Sequence, residues 1–184
     1  MNKKLTKIGI LSVAFLLAVV FRSNAQSATR SSIILGVGPQ ASLPLSNFKD
    51  NYNWSLGGSV QADFAIVKKD LYVVVNGGFD NYFAKGDAKD LQIIPAQAGL
   101  KYYFPTTNLY IQGTAGAGFI VDKKDVGADK SASFIYTPQI GYLLPIAKNS
   151  YLDFGVNFRG QTKFVDGGKS NNAIGLRVAY NFGL

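Results

Sequence analysis

The chain has 184 residues, with 19 Lys and Arg against 11 acidic residues for a net charge of +8, and it contains no Cys, no His and no Glu. These absences exclude a disulfide framework, a thiol nucleophile, a His-based triad and a Cys/His zinc site. With 20 Gly, 13% aromatic and only 16% charged residues, the composition favours strands and turns over helices and suits one domain.

Lys3, Lys4 and Lys7 make a basic start, residues 8–21 are uncharged, and Ser23-Asn24-Ala25 places small residues where a signal peptidase reads. This tripartite pattern predicts a signal peptide over residues 1–25, cleaved after Ala25, and a mature domain over residues 26–184. A retained anchor is the weaker reading, because 14 residues make only ~21 Å of helix against a hydrocarbon core of ~30 Å. No Cys stands at the cleavage point, so lipid attachment there is excluded. Removing Lys3, Lys4, Lys7 and Arg22 lowers the net charge to +4. The remaining Lys interleave with Asp, as in Asp122-Lys123-Lys124-Asp125, which is no basic stripe for nucleic acid.

From Ser32 onward the apolar residues recur with period two, and no stretch holds a helical period. The first strand is expected over residues 33–42. The second puts Trp54, Leu56, Val60, Ala62, Phe64 and Ile66 opposite Ser55, Gly57, Ser59, Gln61 and Asp63. Weaker copies run over residues 71–83, 91–104, 109–121 and 131–145. The seventh strand sets Leu152, Phe154, Val156 and Phe158 against Asp153, Gly155, Asn157 and Arg159. The eighth sets Ile174, Leu176, Val178, Tyr180 and Phe182 against Ala173, Gly175, Arg177, Ala179 and Asn181.

The connections alternate in length. Short links fall at residues 67–70, 105–108 and 146–150, and longer ones at 43–53, 84–90, 122–130 and 162–171. Short turns on one rim and long polar loops on the other predict an all-β fold. It is an eight-stranded antiparallel up-and-down transmembrane barrel with periplasmic turns and outward loops. The competing reading is a soluble eight-stranded ligand carrier with an apolar interior. The faces favour the membrane: the polar face is rich in Gly, Ala, Ser, Gln and Asn, as a narrow lumen requires. Aromatics collect at strand ends, with Phe64, Phe104, Tyr142, Tyr180 and Phe182 at the short-turn rim. Trp54, Phe83, Phe119 and Phe134 lie toward the long loops, completing an interfacial girdle. An open edge in lipid would leave backbone groups unpaired, so the strand of Ile33 is expected to pair with that of Tyr180.

Three stretches carry a resemblance: 94–104 (IPAQAGLKYYF), the Gly-rich 113–118, and the closing 176–182 (LRVAYNF). Through them the whole mature chain resembles the outer-membrane β-barrel domain family of Gram-negative bacteria. The resemblance implies an outer-membrane location and a barrel architecture, and supplies no reaction. It also implies that the aromatic terminal segment is read by barrel-assembly machinery during biogenesis. Here Gly183 and Leu184 follow Phe182, and Arg177 stands where a Gly is common.

Little in the chain points to chemistry. Gly36-Val37-Gly38-Pro39-Gln40-Ala41 loosely matches a dinucleotide fingerprint but lacks a following helix. Gly113–Gly118 lacks the Lys-Ser/Thr ending of a phosphate loop and reads better as small residues that let a tight barrel curve. Without His or Glu to act as base, an enzyme is not expected. Lys interleaved in the loops at 87–90 and 122–129 works against a calcium site, so neither metal nor cofactor is expected. The expected role is a non-enzymatic barrel serving envelope structure or surface contacts. The alternatives are a narrow channel and the membrane anchor of an export or adhesion assembly. Lipid is the expected partner, with a protein at the surface loops and no nucleic acid.

Six charged side chains fall by parity on the inward face: Asp63, Asp80 and Asp153 against Lys101, Arg159 and Arg177. Unpaired charge in a narrow interior is costly. Strand direction puts Asp63, Lys101 and Asp153 near the short-turn rim, Arg177 mid-barrel, and Asp80 with Arg159 toward the loops. Lys101 and Arg177 are therefore expected to bridge Asp63 and Asp153 across the axis and plug the lumen.

Overall fold

The structure, a computed structural model, describes residues 30–184 apart from 87, 122, 125 and 166. The expected signal peptide lies outside the described residues. Eight strands follow in order: β1 Ile33–Leu45, β2 Tyr52–Val67, β3 Leu71–Ala84, β4 Leu91–Tyr103, β5 Leu109–Val121, β6 Ala132–Ala147, β7 Ser150–Gln161 and β8 Asn171–Gly183. Each pairs antiparallel with its sequence neighbours, and β1 closes on β8 through pairs such as Val37 with Tyr180 and Gln40 with Arg177. The barrel is closed and the topology is up-and-down.

The period-two pattern sets the two faces. On β8, Leu176 is 61% exposed while Arg177 beside it is 3% exposed, and the alternation runs the length of the strand. Val37, Val60, Val75, Leu100, Ile111, Ile140, Val156 and Leu176 cover the outside, and no charged side chain interrupts this belt within the strands. In water such a surface would be a severe aggregation liability, whereas in lipid it is the required solvent face. Strands of 12–16 residues, at ~3.3 Å per residue and a barrel tilt near 40°, cross a hydrocarbon core with margin. Among the described residues no helix is long and apolar enough to span a membrane.

The short turns are tight. Lys68 and Lys69 between β2 and β3 both take positive φ, 43° and 60°, the left-handed pair that a two-residue hairpin turn requires. Asn149, at φ 58°, serves the β6–β7 turn, and Thr106, at φ 63°, the β4–β5 turn. At the other rim, the first long link is shorter than its expected 43–53, because β1 runs on to Leu45 and β2 begins at Tyr52. It also holds a single helical turn, α1 Phe48–Asn51, which the strand periodicity did not announce. One buried aromatic, Phe48, explains α1, since the turn exists to lower that ring into the barrel mouth.

Candidate functional site: the filled lumen and its two mouths

The inward side chains are stacked in three layers. At the short-turn end Ile34, Tyr72, Tyr103, Tyr110, Leu143 and Tyr151 form one buried cluster. Tyr103 lies 5.5 Å by ring centroids from both Tyr72 and Tyr110, in edge-to-face packing. At the loop end Tyr82, Leu91, Ile93, Ile120 and Ile135 from the strands meet Phe48, Ala128 and Phe164 from the loops. Between these apolar layers lies the polar one.

The middle layer holds the six inward charges, each less than a tenth exposed. Lys101 Nζ stands 2.7 Å from Asp63 Oδ2 and 3.8 Å from Asp153 Oδ2. Arg177 Nη1 donates to Asp153 Oδ2 at 3.0 Å, and its Nε donates to Ser59 Oγ at 2.9 Å. Lys101, Arg177, Asp63 and Asp153 thus form one cluster. Arg177 pairs with Asp153 rather than with Asp63. Asp80 and Arg159 stand apart as a second pair, 2.5 Å between Oδ2 and Nη1, near the loop end.

Neutral groups complete the coordination. The Tyr110 hydroxyl donates to Asp153 Oδ1 at 2.6 Å and accepts from Gln139 Nε2 at 2.6 Å. Asn181 Nδ2 donates to Asp153 at 3.3 Å, Gln61 Nε2 to Asp63 at 2.8 Å, and Gln40 Nε2 to Asp80 at 2.7 Å. Lys101 also lies 4.6 Å from the centre of the Tyr110 ring, a cation–π contact in a dry setting. Buried charge is tolerable only with partners of this density.

Outside, Phe64, Phe104, Tyr180 and Phe182 are exposed near the short-turn rim, and Tyr142 is partly exposed there. Trp54 lies at the loop end with its ring 4.7 Å from that of Phe83. The apolar clusters were the part that sequence reading missed, since the lumen was expected to be polar throughout. Parity already contained half the answer: Tyr103 shares a face with Lys101, Tyr151 with Asp153, and Tyr72 with Asp80. Phe48 and Phe164 stand in links, where parity says nothing.

Arg30 was also missed. Its guanidinium lies 4.5 Å from the centre of the Tyr103 ring and 2.7 Å from Asp70 Oδ1. It also donates to the carbonyls of Lys69 at 3.2 Å and Thr107 at 3.3 Å. One side chain therefore joins the segment before β1 to two separate turns across the short-turn mouth.

At the loop mouth, the backbone N–H groups of Asp129 and Lys130 donate to the Phe164 carbonyl at 3.0 and 3.2 Å. In the β3–β4 loop, the Asp90 carboxylate accepts the Ala84 N–H at 2.8 Å and the Asn81 amide at 2.9 Å. These donors hold its carboxyl below the ordinary carboxylate value. Among the described residues no cluster of acidic side chains could hold a metal ion.

No family model matches the chain, and no curated protein matches it. Solved structures do. The chain is similar to Neisserial surface protein A, with 16% identity, 84% of this chain and 98% of that one covered, and a TM-score of 0.60. It is also similar to Ail, the attachment invasion locus protein of Yersinia pestis, with 15% identity, 83% and 99% covered, and a TM-score of 0.52. A second Ail structure, in complex with the heparin analogue sucrose octasulfate, matches at 13% identity and the same TM-score. Together with the apolar belt, these likenesses give the chain the fold of a small eight-stranded outer-membrane β-barrel.

Proposed function

We propose that this is a closed, non-catalytic barrel that contributes to envelope structure and makes surface contacts through its four long loops. The observation that carries the reading is the occupied lumen: a cross-axis ionic cluster lies between two buried apolar clusters. Eight strands enclose only enough room for side chains, whereas aqueous pores use sixteen or more. With the interior filled, the variable chemistry is left to the loops. Proteins of similar fold point the same way in their descriptions, one a surface protein and the other an attachment invasion locus protein.

The absence of His, Cys and Glu from the sequence supports a non-enzymatic role, because the usual general bases and nucleophile partners are lacking. Lipid surrounds the belt, and a partner at the loops is the remaining expectation. Purified protein in a planar bilayer should show no large, steady single-channel conductance. A steady conductance would replace this reading with the narrow channel. A pull-down from detergent-solubilised membranes, repeated with the loops shortened, tests the surface role. Loss of partners on shortening supports it, and partners that persist without the loops would make the barrel an anchor for something else.

A further inference from the structure

The loop mouth contains a pocket of about 350 Å³ between α1, the β5–β6 loop and the β7–β8 loop. Its floor is the apolar pair Phe48 and Phe164, and its rim carries Asn47, Asn51, Asn171 and Lys169. The floor is fixed. Phe48 packs 5.0 Å from Tyr52 and 4.9 Å from Tyr82, inside the barrel mouth. The Phe164 carbonyl is bonded by two backbone N–H groups of the neighbouring loop. Three loops are thus tied to the rigid barrel, and preorganisation of this kind is what a binding site needs. The rim is unspent: none of the three side-chain amides and not the Lys169 ammonium has a hydrogen-bond or ion-pair partner among the described residues.

Chemistry narrows the occupant. Each amide offers both a donor and an acceptor, the match for hydroxyl groups, which are both as well. The apolar floor suits the C–H face of a sugar ring. An acyl chain would leave the amides unsatisfied. A nucleotide or multiply charged phosphate would call for several cations, and among the described residues this rim has one. A metal ion would need carboxylates, and the rim has none among the described residues. The volume is at the small end of small-molecule sites. We propose that this pocket binds a short saccharide carrying one acidic group, with Asn47, Asn51 and Asn171 holding hydroxyls and Lys169 the acid. The inference rests on the reading that the loops make the surface contacts, and deepens it by naming the ligand class.

The test uses the full mature barrel in detergent micelles, with a uronic-acid disaccharide and its neutral counterpart as probes, each titrated and followed by saturation-transfer NMR. Saturable binding of both is expected, tighter for the acidic sugar. Lys169→Gln should remove that preference, lowering affinity for the acidic probe about tenfold and leaving the neutral one unchanged. Asn51→Ala should weaken both probes. Folding of each variant is checked by heat-modifiable migration on gels, so a misfolded protein is not read as a binding defect. No saturable binding of either sugar to folded wild-type barrel would overturn the proposal. So would binding that is indifferent to both substitutions. Either result, with the bilayer silent and the loop-dependent pull-down intact, removes the saccharide and leaves the surface role standing.

Discussion

The two ends of the lumen are filled by the same kind of residue but built in different ways. At the short-turn end every member of the cluster comes from a strand, and Arg30 is laid across it from the segment before β1. At the loop end the strands supply only part, and Phe48, Ala128 and Phe164 enter from the loops. The difference follows from the connections. Links of two to five residues have no side chain to spare for the interior, whereas a link of six or more residues can fold one back. The short-turn end is thus part of the barrel wall, and the loop end couples barrel stability to loop sequence. Any partner of the loops binds a surface whose shape is anchored inside the barrel.

The largest effect should come from the layer that both ends enclose. Asp153 receives Tyr110, Arg177 and Asn181 and lies beside Lys101. Asp153→Ala leaves Arg177 without its carboxylate and Lys101 with Asp63 alone, a change that costs about 3–5 kcal/mol. Urea unfolding in lipid vesicles, followed by tryptophan fluorescence from Trp54, measures it. The double change Asp63→Leu with Lys101→Met removes opposite charges together and should cost far less, since apolar replacement of a buried pair is often neutral. If the double variant loses as much as Asp153→Ala, packing rather than charge balance governs this layer.

Next comes Phe48→Ala, which removes a loop-borne ring from the loop-end cluster. Large-to-small changes of this kind cost roughly 3 kcal/mol, less where the site collapses. Hydrogen exchange should rise in the first loop and in the neighbouring ends of β2 and β3, while the short-turn rim stays protected. Equal deprotection at both rims would show that the two ends are not separately built.

How much of this was legible in the sequence depends on which residues carried a period. Alternation on β2, β7 and β8 is strong because one face must meet lipid and the other a crowded interior, so strand number, register parity and closure could all be read. The inward placement of Asp63, Asp80, Lys101, Asp153, Arg159 and Arg177 followed from parity alone. Strand direction also sorted them by height and grouped Lys101 and Arg177 with Asp63 and Asp153. The choice of Asp153 by Arg177 was not legible, because a partner across the axis depends on shear, which no local pattern records. Phe48 and Phe164 could not be placed at all: an aromatic in a link can face solvent, lipid or the mouth, and only the folded loop decides. Arg30 lies before β1, where no period reaches it, and its role is visible only once three distant segments meet.

Arg30→Gln breaks the comparison from the other side. The ion pair with Asp70 is partly exposed, with side-chain exposures of 13% and 36%, so its loss is discounted for solvent screening. Adding the stacking on Tyr103, about 1 kcal/mol is expected. Faster amide exchange should follow in the β2–β3 and β4–β5 turns, whose carbonyls Arg30 caps, with the loop end unchanged. Arg30→Lys should restore the charge contact to Asp70 but not both carbonyl bonds, because an ammonium lacks the planar fork.

The smallest effect belongs to the β3–β4 loop, where none of the described residues over 85–90 sends a side chain into the loop-end cluster. Asp90 fastens the β3–β4 loop by accepting the Ala84 N–H and the Asn81 amide, and both bonds favour the charged carboxylate. Its folded pKa is therefore below the unfolded one, so its contribution is complete above the unfolded value and is lost as pH falls through the folded value. The window lies between the ordinary carboxylate value and the lowered one, well into acid. An NMR titration of the Asp90 carboxyl carbon should find a midpoint below that of a free Asp. Asn81→Ala should raise the midpoint, and the Ala84 bond, the larger cause, should keep it from returning fully to the free value. Amides of residues 84–86 should lose protection over the same acid range, while those of Ile93 and Ile120 in the loop-end cluster do not respond. A loss shared by that cluster would mean that this loop, like the other three, is coupled to the barrel mouth after all.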